Sequence, residues 1–246
     1  MKILVCISKT PDTTAKISFK DNNSAFNGDG VSFIMNPYDE WYALVRAVEL
    51  TEKFGGTCTV INVGPSSNDI IIRKALAIGA HEAVRVDFDA PDAYTVAANI
   101  AAHAKSAQYD MVFTGKETID YNGSEIGAMI AELLDLPFIS YANHLEYNEG
   151  TCTISRDIEG GDEICSVKVP FVLSASKGLA EQRIPNMKGI MTAKTKPLVV
   201  IPPVETAPRT EVVNYDLPPV KSGVKLVDPE NMNELVRLLH EEAKVI

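Results

Sequence analysis

The chain has 246 residues, 46% of them hydrophobic and 23% charged, enough to bury a core as one large domain or two small ones, which excludes a disordered, collagenous or disulfide-scaffolded chain. Lys and Arg number 23 against 33 Asp and Glu, a formal charge of −10, so a phosphate backbone is repelled overall and nucleic acid is not an expected partner. The first apolar run, Ile3 to Ile7, is far too short for a signal segment or a membrane span, so no membrane insertion and a cytoplasmic location are expected.

Short apolar runs alternate with helical spacing through the first two thirds, the pattern of a parallel sheet covered by helices. Ile3 to Ile7 has the character of a strand buried on both faces. Lys16 to Lys20 alternates, with Ile17 and Phe19 on one face, and Asp21-Asn22-Asn23 with Gly28-Asp29-Gly30 supplies turns, predicting an inserted surface hairpin. Asn36-Pro37-Tyr38-Asp39-Glu40 predicts a helix start with Asn36 as N-cap, Pro37 first and acids in the first turn. Trp41, Leu44, Val45 and Val48 give that helix an apolar face. Cys58 to Val63, Ala83 to Val86 and Met111 to Thr114 continue the sheet. Between and after them, Ile71, Ala75 and Ile78 predict a short helix ended by Gly79. Ala93, Val96, Ala97 and Ile100 predict a second, and Ile126, Met129, Ile130, Leu133 and Leu134 a third. Thr151 to Arg156 and Ile164 to Val169 form an antiparallel pair turning through Gly160-Gly161-Asp162, with Cys165, Val167 and Val169 on one face.

Beyond Pro197, five prolines (Pro202, Pro203, Pro208, Pro218, Pro219) predict extended backbone, and residues 198–246 are expected to be an arm following a domain of residues 1–197. The arm ends in a helix with Asp228 as N-cap and Pro229 first, its stripe made by Met232, Leu235, Val236, Leu239 and Ala243. Folding back on its own domain is one fate for it; its proline content favours docking on another subunit. The fold class is therefore α/β, a doubly wound and mostly parallel sheet with an added antiparallel hairpin and a C-terminal arm.

The signatures of α/β-hydrolases, zincins, P-loops and standard dinucleotide folds are missing. Cys6, Cys58, Cys152 and Cys165 lie apart, without a CxxC or a His at ligand spacing, and fit four buried reduced thiols and no metal. His103 and His240 fit partly solvated helix faces. No catalytic residue is predicted. Two loops stand out. Gly115 to Gly127 joins a buried strand to a helix at the carboxyl end of the sheet, where open α/β sheets bind ligands, and the amides over Gly123 to Ile126 suit a phosphate; helix capping explains the same residues. Asn36 to Glu40 is the second, explained by capping with ligand contact as an addition. A third feature is electrostatic: Lys177, Arg183, Lys188, Lys194 and Lys196 face one acid, Glu181, with Met187, Ile190 and Met191 interleaved. That is a docking loop or an ordinary solvated one.

Six stretches in order resemble the β subunit of electron transfer flavoprotein. They are Lys9-x-Pro11-Asp12-Thr13 with Lys16-Ile17, Met35-Asn36-Pro37-Tyr38-Asp39, Val63-Gly64-Pro65, Arg73-x-Ala75-Leu76-Ala77-x-Gly79-Ala80, Gly115-Lys116-x-x-Ile119-Asp120 and Ile190-Met191-x-Ala193-Lys194. The resemblance implies an adenine-nucleotide-binding domain of the universal stress protein type. It implies a heterodimer whose α subunit holds most of an FAD, and a carrier of electrons from acyl-CoA dehydrogenases to a membrane quinone oxidoreductase (ETF-quinone oxidoreductase). It further implies a structural AMP touched by Cys6, Asn36, Pro37, Tyr38, Asp39, Val63, Gly115, Lys116, Thr118, Asp120, Tyr121, Asn122, Gly123, Ser124, Glu125 and Ile126. The family's partner-recognition loop falls on residues 177–196, with Lys177, Arg183, Met187, Lys188, Ile190 and Met191 as contacts and Met187 in the place of an anchoring leucine. Glu125 puts a carboxylate near the expected phosphate, Thr192 and Thr195 stand where lysines are common, and Thr13 replaces an aromatic that in some members touches the flavin. An electron-bifurcating relative with a second FAD and a stand-alone universal-stress-type protein are the alternatives. Tyr121, where bifurcating members tend to have Gly, favours AMP.

Overall fold

The computed structural model describes residues 1–220 and 223–246. Strand β1 (Lys2–Cys6) leads into β2 (Lys9–Pro11), β3 (Phe19–Lys20), β4 (Ala25–Phe26) and β5 (Phe33–Met35), with β2 paired to β5 and β3 to β4, both antiparallel. Helix α1 (Asp39–Phe54), β6 (Thr57–Val63), α2 (Asp69–Ile78), β7 (Glu82–Val86), α3 (Ala93–Ala107), β8 (Met111–Gly115) and α4 (Ile126–Leu134) then alternate as the periodicity predicts. Next come β9 (Phe138–Asn148), β10 (Thr151–Ile158), β11 (Gly161–Lys168), β12 (Phe171–Ala175), α5 (Met187–Ala193), β13 (Leu198–Ile201) and α6 (Met232–Arg237). Among the described residues one sheet holds nine strands in the order β11-β10-β9-β12-β8-β1-β6-β7-β13. From β9 to β13 every neighbour through β12, β8, β1, β6 and β7 is parallel, and β10 and β11 extend β9 antiparallel.

Two apolar layers cover the sheet. On one face Leu44, Val48, Ile72 and Leu76 of α1 and α2 pack with Ile3, Val5, Val60 and Phe113. On the other, Ala97, Ile100, Ile130 and Ala131 of α3 and α4 pack with Leu4, Ile61, Val84 and Val112. Alternate residues of β1 thus serve opposite faces, the period-2 rule applied to a strand without a solvent side.

Several expectations are corrected. The sheet does not end before residue 198: Leu198–Ile201 pairs in register with Ala83–Val86. Past it, Val204 N–H donates to Asn99 Oδ1 at 2.8 Å, while the Arg209 and Thr210 amides donate to Asp92 Oδ2. The chain divides into compact units of residues 1–17 with 27–213 and 18–26 with 214–246, so the boundary expected at 197 moves to 213. The prolines permit an edge strand because Leu198 to Ile201 carries none. Strands β9 and β12 are additions. β9 is half exposed and mixed in polarity, and β12 is a five-residue run directly behind Pro170. The β10–β11 turn lies at Glu159-Gly160, because Gly161 and Asp162 already pair with Ile158 and Asp157. Cys6, Cys58 and Cys152 are buried and Cys165 is partly exposed; all four are free.

In the second unit the predicted hairpin is present, its turn carried by Asp21, Asn22 and Asn23 at positive φ. Phe19 stacks on Tyr215 with centroids 4.9 Å apart, and Tyr215 N–H donates to Asn23 O. The C-terminal helix begins later than expected, at Met232, capped by Asn231, whose Oδ1 accepts from Glu234 N–H. Asp228 instead closes a local turn on Glu230 N–H. None of its own residues is buried, Met232 and Val236 are exposed, and Leu238, directly after it, is buried.

Gly56 joins α1 to β6 at φ +128°, and a Cβ there would lie 1.9 Å from the Met1 carbonyl oxygen. Gly56→Ala combines a backbone conformation closed to L side chains with a backbone clash, and is expected to lower unfolding free energy by roughly 1–3 kcal/mol, read as an earlier urea midpoint.

Candidate nucleotide cleft

Winding reverses at β1. After β1 the chain passes over one face through α1 and α2 to β6 and β7; α3 then carries it under the other face to β8, on the opposite side of β1. The loops leaving β1 and β8 therefore diverge, and a cleft of about 320 Å³ opens beyond the carboxyl ends of β1, β6 and β8.

Most of its wall comes from three strand ends and the turns beyond them, with Glu40 of α1 and Val96 and Ile100 of α3 also lining it. Cys6, Ile7 and Ser8 lie at the end of β1; Asn62, Val63, Gly64, Pro65 and Asn68 at the end of β6; Thr114, Gly115, Thr118, Asp120, Tyr121, Gly123, Ser124, Ile126 and Gly127 run from the end of β8 into α4. The last turn folds on itself. Thr118 N–H donates to Gly123 O at 2.9 Å, Gly123 N–H to Thr118 Oγ1 at 3.0 Å, and Asn122 N–H to Thr118 O at 3.0 Å. That tight loop delivers the start of α4 to the cleft, where its first amides have no intrahelical acceptor. A Cβ on Gly127 would meet Thr114 Oγ1 at 2.8 Å and the Phe138 ring at 2.9 Å, so only glycine lets α4 approach β8 this closely. The β6 turn is held by a buried polar chain: Asn62 Nδ2 donates to Ile7 O at 2.8 Å, and Asn68 Nδ2 to Asn62 Oδ1 at 2.9 Å. Arg85, buried, donates to Gly64 O and pairs with Asp69 and Asp87.

Of the sixteen residues expected to touch a nucleotide, Cys6, Val63, Gly115, Thr118, Asp120, Tyr121, Gly123, Ser124 and Ile126 line this cleft, and Asn36, Pro37, Tyr38, Asp39, Lys116, Asn122 and Glu125 do not. Asn36 is not an N-cap. Its Oδ1 accepts from Tyr38 N–H two residues on, Tyr38 precedes the helix, and Asn36 Nδ2 donates to Glu117 O at 3.0 Å, tying the two singled-out loops together. Glu125 is exposed and does not line the cleft, although its charge acts on Tyr121, which does. Sequence reasoning did not single out Ser8, Asn62 or Asn68, and took Glu40 only as a first-turn acid of the second loop. Glu40 falls inside the predicted helix start, and nothing local marks it as buried.

Electrostatically the cleft is unusual. Glu40 is buried, with Oε2 accepting from Ser8 N–H at 2.8 Å and Oε1 2.6 Å from Ser8 Oγ. Desolvation, reinforced by Asp39 and Asp120, pushes its carboxyl up to about 8. Burial likewise raises Asp39 to about 6, opposed by Lys116. Burial, with Glu40 behind it, drives the Cys6 thiol upward, so it is a packing group and not a nucleophile. Among the described residues no three His, Cys, Asp or Glu side chains are placed to hold a metal ion. The arrangement suits binding a small ligand with an anionic end.

The predicted docking loop is partly committed internally. Arg183 makes a two-point ion pair with Glu52 at 2.7 and 2.8 Å, and its carbonyl accepts from Trp41 Nε1. Lys196 Nζ donates to Leu76 O and Ala80 O at the end of α2. Met187 and Met191 are 74% and 68% exposed on α5.

Residues 25–206 match the family model for the electron transfer flavoprotein domain. The chain is 35% identical over its full length to the full length of the electron transfer flavoprotein subunit beta of Bacillus subtilis. It is 32% identical to that of Mus musculus, covering 100% of this chain and 99% of the mouse one. It is 28% identical to subunit CarD of the caffeyl-CoA reductase-Etf complex of Acetobacterium woodii, over 99% and 98% of the two chains.

A carboxyl whose folded pKa is raised stabilises the fold fully below its unfolded pKa, and that contribution fades as pH rises through the folded one. For Glu40 the window runs from about 4.5 to about 8. The difference in urea stability between the unaltered protein and Glu40→Gln should therefore shift steadily toward the variant across that range; a constant difference would show that Glu40 titrates normally.

Proposed function

The chain belongs to the electron transfer flavoprotein family, among its β subunits, and on that premise we propose that it carries electrons as half of a heterodimer with an α subunit, lodging a structural AMP and helping to enclose an FAD held mainly by the partner. The observation that carries the nucleotide reading is the convergence of the β1, β6 and β8 turns on one cleft with the start of α4 in its wall. A helix N-terminus supplies unpaired amides and a partial positive charge for a phosphate. On the β6 side, Asn68 is buried and its Oδ1 has no hydrogen-bond partner among the described residues, an acceptor suited to a ligand amino or hydroxyl group. The volume lies at the small end of ligand clefts, roughly 300–1,000 Å³, and suits a mononucleotide.

In this reading the flavin supplies the redox chemistry and this chain binds, shields and docks. Electrons would come from acyl-CoA and related dehydrogenases and pass to a membrane quinone oxidoreductase in a cytoplasmic setting. Among the described residues no helix is long and apolar enough to cross a membrane. The exposed apolar residues Ile184, Met187, Ile190 and Met191 beside Lys177, Lys188 and Lys194 have the make-up of a docking loop, an apolar centre within a charged rim. Arg183 would act there by fixing the loop through Glu52.

A bifurcating form, with a second FAD in this cleft, is the competing reading, and the similarity to subunit CarD keeps it open. Tyr121 supports AMP: its ring packs on Gly123 and lines the cleft, taking room there that a smaller residue would leave.

Co-purified with an α subunit, the complex is expected to yield about one FAD per heterodimer and to release AMP on acid extraction; about two FAD and no AMP would establish the bifurcating form. Met187→Ala is expected to lower kcat/KM for reduction by an acyl-CoA dehydrogenase about ten-fold or more while flavin and AMP content stay unchanged, as for loss of an interface anchor.

A further inference from the structure

Ser8 and Glu40 form an unusual pair. Ser8 follows β1 at the reversal point, is half-buried and lines the cleft, and both its polar backbone hydrogen and its hydroxyl meet the Glu40 carboxyl. A serine hydroxyl has one hydrogen. If Glu40 is ionised, that hydrogen must point to Oε1, and Ser8 offers the cleft only lone pairs. If Glu40 carries a proton, its own O–H donates to Ser8 Oγ across the same 2.6 Å, and the serine hydrogen is free for a ligand oxygen. The same contact thus has two polarities.

We propose that Ser8 is a ligand-contacting residue of this cleft and that Glu40 sets its polarity by holding a proton, so that AMP binding takes up a proton from solvent wherever Glu40 is ionised in the free protein. The inference rests on the adenylate reading of the site. The proton balance is simple: the Glu40 carboxylate gains a proton, the resulting O–H donates to Ser8 Oγ, and the serine hydrogen turns to the ligand.

The surroundings favour the protonated arrangement. Facing Glu40 are Asp39 on its own helix, Cys6 on β1, and Asp120 and Tyr121 on the turn after β8, none of them cationic. The nearby cations are engaged elsewhere: Lys9 Nζ donates to Ser67 Oγ and lies over the Phe33 ring, and Lys116 pairs with Glu117 at 3.3 Å. Among the described residues Glu40 makes no ion pair. Burial raises its carboxyl against the two Ser8 hydrogen bonds, which favour the ionised form, and a phosphate entering the cleft adds negative charge that opposes ionisation further.

The test is calorimetric titration of the full-length chain with AMP between about pH 7.5 and 9.5, where a phosphate monoester of second pKa about 6 remains dianionic, in buffers of differing protonation enthalpy. The expected result is proton uptake on binding and an affinity that falls above about pH 8, with a limiting slope of about ten-fold per pH unit. Glu40→Gln keeps a donor on Ser8 Oγ at every pH; it should flatten the profile and bind AMP about ten-fold tighter than the unaltered chain at pH 9.5. Ser8→Ala should weaken binding several-fold at about pH 7.5 and reduce the slope. AMP binding without proton uptake, or an unchanged slope in Glu40→Gln, overturns the proposal while leaving the adenylate site standing. No AMP binding at any pH overturns the site reading and the inference with it. Should the variants fail to fold, the buffer dependence of the heat on the unaltered chain decides alone.

Discussion

The structure hangs on the reversal of winding at β1. Right-handed crossovers allow a parallel sheet to grow in only one direction while its helices stay on one face, so growth on both sides of β1 forces α1 and α2 onto one face and α3 and α4 onto the other. The turns leaving β1 and β8 are then driven apart. The cleft is the gap between them, and its contents are whatever side chains the strand ends carry there.

That gap places polar groups where the sheet is driest. Asn62, Asn68 and Glu40 are buried in its lining and Arg85 is buried behind the β6 turn, and each has a partner: Asn62 the Ile7 carbonyl, Asn68 the Asn62 side chain, Arg85 Gly64 and two aspartates, Glu40 Ser8. Burying such groups without partners costs a few kcal/mol each, so the partners also fix the turns in place. The preorganised base explains how the loop from 116 to 125 keeps a defined shape with no helix or strand in it. Its start is tied by Lys116 N–H to Ala175 O and by Asn36 to Glu117 O, its middle by the bonds between Thr118 and Gly123, and its end by α4.

The same economy governs the surface between 177 and 196. Counted as charges the segment has an excess of four cations, but Lys196 caps the carbonyls at the end of α2 and Arg183 is clamped to Glu52. A lysine against helix C-terminal carbonyls interacts favourably with the helix dipole, so it is a packing device for α5 against α2. What remains exposed is Lys177, Lys188 and Lys194 around an apolar crest of methionines and isoleucines, the composition of an interface centre with a charged rim.

Period and composition made most of the architecture legible from the residues alone. Fully apolar runs such as Ile3 to Ile7 read as strands buried on both faces. Stripes such as Leu44, Val45 and Val48 read as helices with one dry side, and the strand-loop-helix at Gly115 to Gly127 marks the end of the sheet where the cleft opens. The family resemblance was likewise legible, because it resides in ordered local motifs. What the tertiary structure decided are matters of long-range pairing. Leu198 to Ile201 becomes a strand only because β7 offers an open edge. Asn36 turns from a cap into a tie because Glu117 lies within reach, although 81 residues separate them. Glu40 looks like an ordinary first-turn acid, and only the packed structure buries it, which raises its carboxyl even though Ser8, 32 residues earlier, hydrogen-bonds to it. Local patterns report the face a residue shows. The neighbour that meets that face, and therefore its charge state, is set by the packing of distant strands.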